Sequence, residues 1–150
     1  MVNNDNILVI GSDHGGFELK EYLKERLTED RYKIKDFGTF SAESVDYPDI
    51  IHPLAKSINE GQYERGIILC GSGNGAQITA NKYLHVRAAL CWNEEQARLA
   101  REHNDANIIS LPGRVLDFEL AYRMVIIFLN TAFEGGRHAR RVAKISDIIK

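Results

Sequence analysis

Cys70 closes a strand-length apolar run, Ile67-Ile68-Leu69-Cys70, and is followed at once by Gly71-Ser72-Gly73-Asn74-Gly75. A thiol that leaves a strand, passes three alternating glycines and opens a helix lies in a concavity of backbone N–H groups. Such a nest suits an anion or a developing oxyanion. The dipole of the following helix lowers a nearby thiol from its free value of about 8.5, which makes Cys70 a candidate base or nucleophile. The plainer alternative is a buried strand-end cysteine beside a tight turn. Spacing removes two other glycine-loop functions: Gly71, Gly73 and Gly75 do not form G-x-G-x-x-G, and no Gly-Lys-Ser/Thr marks a P-loop.

Three further segments carry polar chemistry. Asp13 and His14 stand in Gly11-Ser12-Asp13-His14-Gly15-Gly16, where an acid beside an imidazole can tune it near neutrality or bind sugar hydroxyls and phosphate. The alternative is an Asp13 helix N-cap. His103-Asn104-Asp105 ends a predicted helix, whose dipole favours the protonated imidazole of a general acid; a surface histidine helping to cap that helix is the other reading. In Glu134-Gly135-Gly136-Arg137-His138-Ala139-Arg140-Arg141, cations crowd a helix start, which is unfavourable without an anion. Arg137 and Arg141, spaced i,i+4, can grip one phosphate from a shared face, unless the helix is simply solvated and paired with acids such as Glu134. His52 and His85 lie outside these loops and read as structural or solvent-facing. Cys91-Trp92 reads as core packing at the end of a strand.

The elements that position these groups follow from hydrophobic periodicity. Strands are expected at Ile7–Ile10, Tyr32–Phe37, Ile67–Cys70, Ala88–Cys91 and Ile108–Leu111, and helices at Phe17–Glu29, Ile50–Asn59, Gly75–Lys82, Glu94–His103 and Phe118–Asn130. A last helix is expected over about 137–149, a candidate dimerisation element. This alternation predicts an α/β fold, a doubly wound, three-layer α/β/α sandwich on a five-stranded, parallel, Rossmann-like sheet. In such a sheet ligands bind beyond the carboxyl ends of the strands where the winding reverses. A strand order beginning 2-1-3 puts the Asp13 and Cys70 loops side by side. With 150 residues and no visible linker, one domain spanning 1–150 is expected. A net charge of −2 and a pI near 6.2 argue against a broad nucleic-acid surface. The N-terminus shows no leader pattern and no apolar run reaches membrane length, so no membrane partner and a cytoplasmic location are expected. Two cysteines without metal-ligand spacing read as free thiols.

Taken together, Ser12-Asp13-His14-Gly15-Gly16, Asp46-Tyr47-Pro48, Cys70 to Gly75 with Ala80-Asn81-Lys82, His103-Asn104-Asp105-Ala106-Asn107 and Glu134 to Arg141 closely resemble the type B ribose 5-phosphate isomerases, in order over almost the whole chain. That superfamily includes isomerases of galactose 6-phosphate and allose 6-phosphate. The resemblance implies interconversion of an aldose phosphate and its ketose in the non-oxidative pentose phosphate pathway, without metal or organic cofactor. It maps the base to Cys70, enediolate stabilisation to Ser72 and the loop amides of Gly71, Gly73, Asn74 and Gly75, and the ring-opening acid to His103. Asp13, His14 and Asn104 match contacts to substrate hydroxyls, and Arg114, Arg137 and Arg141 match the phosphate clamp. It further implies a homodimer or homotetramer with sites at the subunit interface. Ala76 stands where some members carry a glutamate base, so the chain looks like the cysteine subtype. Ala76 also stands where a cysteine phosphatase loop needs its arginine, which argues against phosphoester hydrolysis. Two other functions stay open: an isomerase for a six-carbon sugar phosphate, and a phosphosugar-binding module without catalysis.

Overall fold

The computed structural model describes residues 6–148. Five strands, β1 (Ile7–Ser12), β2 (Lys33–Asp36), β3 (Arg65–Cys70), β4 (Ala88–Leu90) and β5 (Ile108–Pro112), alternate with α1 (Phe17–Glu29), α2 (Tyr47–Asn59), α3 (Asn74–Ala80), α4 (Glu94–Asn104), α5 (Phe118–Asn130) and α6 (Arg137–Lys144). All pairings are parallel, in the order β2-β1-β3-β5-β4. The expected 2-1-3 start is present, and the winding reverses between β1 and β3.

The three central strands are apolar on both faces because helices cover both. Leu8, Ile10, Ile67, Leu69, Ile109 and Leu111 pack with Leu19, Leu23 and Leu27 of α1, Ala97 and Ala100 of α4 and Phe128 of α5. Val9, Ile68, Cys70 and Ile108 face the other way, onto Ile51, Leu54 and Ile58 of α2 and Ala76 and Ala80 of α3. Cys70 therefore approaches its loop from the α2/α3 layer. Local signals set the helix starts: Asn93 Oδ1 accepts from the Gln96 amide at 2.8 Å and Asp117 Oδ2 from the Leu120 amide at 3.0 Å, both N-caps.

Some boundaries differ from those expected. Helix α2 begins at Tyr47 rather than Ile50, since Pro48 suits a first helical turn. Helix α6 stops at Lys144, with turns over 145–148; position 149 of the expected helix lies outside the described residues. Strand β4 ends at Leu90; Cys91 packs in the core as expected, and burial pushes its thiol up to about 12. Trp92 does not join it there and is 45 % exposed. Both cysteines are free.

Candidate active site

The loops leaving β1, β3 and β5 meet backbone to backbone, and glycine makes that possible. A Cβ on Gly15 would stand 3.0 Å from the Gly71 nitrogen, and one on Gly113 only 2.7 Å from the Gly16 Cα. Two hydrogen bonds fasten the β5 exit to the thiol loop, Gly113 N–H to the Cys70 carbonyl at 2.8 Å and Arg114 N–H to the Gly71 carbonyl at 3.1 Å. Gly73 holds a left-handed conformation (φ +79°) that favours glycine, and buried Ser110 Oγ donates to its carbonyl at 2.7 Å. Asn74 N–H donates to Ser72 Oγ at 3.2 Å, whereas the amides of Gly71, Ser72 and Gly73 take no protein acceptor among the described residues. The donors an oxyanion needs are thus available.

Cys70, 4 % exposed, forms the floor of an open cleft of about 570 Å³ with Asp13, Tyr47, Gly71, Ser72, Gly75, Arg114 and Val115 around it. Asp13 serves both readings: its Oδ1 accepts from the Gly15 amide at 2.9 Å as an N-cap, and it still borders the cleft. His14 Nδ1 accepts from the Val45 amide at 3.2 Å. The neutral ring then carries its proton on Nε2, leaving that nitrogen as donor. Arg114 lies across Gly71, with Nη1 3.1 Å from where a Cβ would stand, and borders a second hollow of about 350 Å³ with His14. Tyr47 is a wall to which the sequence alone assigns no role. Its ring covers Gly75 so closely that a Cβ there would come within 2.5 Å of the ring; the only signal was its place in Asp46-Tyr47-Pro48.

The other expected site residues gather elsewhere. Helix α4 runs antiparallel to the strands, so His103 and Asn104 lie at the amino edge of the sheet, roughly 15 Å from the level of the strand exits. Buried Arg101 ties this corner together, donating to the carbonyls of Ala106 at 2.7 Å and Thr131 at 3.1 Å and to Asp105 at 2.8 Å. The Glu134 amide donates to the Glu102 carbonyl at 3.1 Å. Gly135 (φ +70°) and Gly136 (φ +56°) then turn the chain into α6. There the His103 and His138 rings stack at 4.2 Å, 11° from parallel, each Nε2 lying 3.7 Å from a Glu134 oxygen. Glu134 is thereby engaged with histidines, and Arg137, Arg140 and Arg141 are exposed without an acidic partner among the described residues. The expected site residues therefore fall into two separate groups on one chain: Asp13, His14, Cys70, Ser72 and Arg114 in one, and His103, Asn104, Arg137 and Arg141 in the other.

Residues 8–145 match the family model described as Ribose/Galactose Isomerase. The chain belongs to the ribose/galactose isomerase family. Its similarity to the ribose-5-phosphate isomerase B of Escherichia coli is 39% identity over 141 residues, 94% of this chain and 95% of the other. Among solved structures, a ribose 5-phosphate isomerase of Thermotoga maritima superposes with a TM-score of 0.91 at 50% identity, covering 93% of this chain and 96% of the other. The ribose-5-phosphate isomerase B of Mycoplasma genitalium, solved with bound ribulose-5-phosphate, superposes with a TM-score of 0.89 at 37% identity, covering 93% of each chain. These likenesses agree with the doubly wound sheet of this family member.

Proposed function

We propose that this family member is an aldose-ketose isomerase interconverting D-ribose 5-phosphate and D-ribulose 5-phosphate, a step of non-oxidative pentose phosphate metabolism in the cytoplasm. The observation that carries the proposal is a thiol placed at the switch point of the sheet beside three loop amides with no protein acceptor. Cys70 as thiolate removes the proton from C2, the pair of electrons passes toward the C1 carbonyl oxygen, the hydroxyl proton of the enediolate moves from O2 to O1, and the thiol returns its proton to C1 as C2 becomes the carbonyl. Ser72 and the amides of Gly71, Gly73 and Gly75, with Asn74, stabilise the charge that develops on oxygen. Asp13, His14 and Asn104 hold hydroxyls, and Arg114, Arg137 and Arg141 hold the phosphate.

This assignment needs His103, the ring-opening acid, beside a Cys70 at the other end of the sheet. A second copy of the chain, arranged so that its amino edge meets the carboxyl edge of the first, supplies it. The exposed apolar side chains Ile78, Leu84 and Ile145 and the open edge of β4 support a homodimer contact that includes the segment after α6.

A coupled assay with ribose 5-phosphate in EDTA tests the reaction. Turnover is expected, with kcat/KM higher for ribose 5-phosphate than for allose or galactose 6-phosphate. Calorimetric binding without ketose formation would leave a phosphosugar-binding module instead.

A further inference from the structure

The pair of stacked histidines on Glu134 is more than a ring-opening acid requires. Three ligand atoms, one each from His103, Glu134 and His138, lie within 4.8 Å of one another. His138 is 7 % exposed, and its Nε2 has no hydrogen-bond partner, although it points at a carboxylate 3.7 Å away. A buried polar atom left in that condition needs an explanation. Parallel stacking sends both ring edges to the same side, toward the two oxygens of one carboxylate. Two imidazole nitrogens and one carboxylate oxygen are a ligand set used by zinc, which takes N and O donors at about 2.0–2.2 Å. Donors at those lengths in a tetrahedral arrangement are about 3.4 Å apart; each Nε2 lies 3.7 Å from a different Glu134 oxygen and the three donor atoms lie within 4.8 Å of one another, so the side chains close in by up to about an ångström to bind an ion.

We propose that His103, Glu134 and His138 form a binding site for a divalent transition-metal ion of the zinc class, and that occupying it inhibits the enzyme by taking His103 out of use. The backbone has set the donors: Glu134 is hung on the Glu102 carbonyl, and His138 N–H donates to the Gly135 carbonyl at 3.1 Å. Glu102 does not compete as a ligand, because Arg98 holds its carboxylate at 2.6 Å. Arg137 and Arg141 weaken the site by repulsion, which keeps it reversible. Metal binding itself stands apart from the proposed reaction; only the inhibition rests on that reading.

Zinc titrated into the full chain, freed of metal beforehand, tests binding by calorimetry, with cobalt absorption reporting the ligand set. One ion per chain is expected, with a dissociation constant on the order of 1–10 µM. Binding should fall at least tenfold in both His138→Gln and Glu134→Gln and persist in Cys70→Ser. Glu134 is half exposed, so its variant keeps the fold even where the His138 variant loses circular dichroism. Binding that survives Glu134→Gln, or that vanishes with Cys70→Ser, overturns the site. Zinc should also inhibit wild-type turnover over the same concentrations, with EDTA restoring it. Binding without inhibition overturns the inhibitory role. A chain with no isomerase activity in any condition removes the proposed reaction, while the calorimetry still decides whether the metal site exists.

Discussion

At the scale of single residues, Cys70 and the arginines of α6 divide the work of the proposed reaction into chemistry and binding. General-base removal of a proton contributes about 10²–10⁴-fold, and Cys70 is the residue of the cleft floor that can do it. Cys70→Ala should therefore lower kcat about a thousandfold while KM moves only a few-fold. Arg137→Ala or Arg141→Ala should do the reverse, raising KM at least about tenfold with kcat largely kept, because those side chains meet a phosphate remote from the reacting carbons. Steady-state kinetics on the three variants separates the roles, and a Cys70→Ala enzyme with full kcat would dismiss the thiol as base. The thiol loop was legible in sequence because glycine alternation after a strand has few physical meanings. Tyr47 was not, since nothing in a Tyr-Pro pair shows that the ring will come to rest on Gly75.

The elements carry these residues, and one of their joints depends on a buried charge. Lys20 of α1 is 0 % exposed and donates to Asp36, at the end of β2, at 2.6 Å, with Lys24 adding a second contact at 2.8 Å. Asp36 in turn accepts from the Gly38 amide at 2.8 Å, starting the connection that crosses Ser12 and delivers Val45 to His14. Burial alone would raise the Asp36 carboxyl; the lysines and the Gly38 amide overcome that and hold it below its ordinary 3.8. With the folded value depressed, the stabilisation is complete above the unfolded value and is lost as pH falls through the folded one. Asp36→Asn should then cost about 3 kcal/mol at pH 7 by stranding Lys20, and should flatten the acid limb of the stability profile. Urea unfolding between pH 3 and 7 reads both, and an unmoved midpoint would show that Glu21, 3.0 Å from Lys20, suffices. The strands and helices themselves were readable from periodicity because the central strands are apolar on both sides. Their ends were less so: Asp46-Tyr47-Pro48 starts a helix three residues before the apolar stripe, and the order β5-β4 beyond β3 leaves no mark in any one segment.

For the whole molecule, the direction of α4 is decisive. A parallel sheet with an antiparallel helix puts the end of that helix at the opposite edge from Cys70, so the motifs assigned to the proposed reaction sit in two places on one chain. Spacing along a sequence says nothing of which edge a segment reaches, so the resemblance implied sites at a subunit interface without showing which residues would come from the partner. In the proposed homodimer, a two-fold arrangement lets each copy complete the other's site. Complementation follows from that geometry. Cys70→Ala and His103→Asn homodimers should each be nearly inactive, one lacking the base and the other the ring-opening acid in both sites. After unfolding and refolding together in equal amounts, about half of the dimers are mixed, and each mixed dimer has one site with both residues intact and one with neither. Activity should then recover to about a quarter of wild type. A site contained within a single chain would give no recovery, because no chain in the mixture carries both residues.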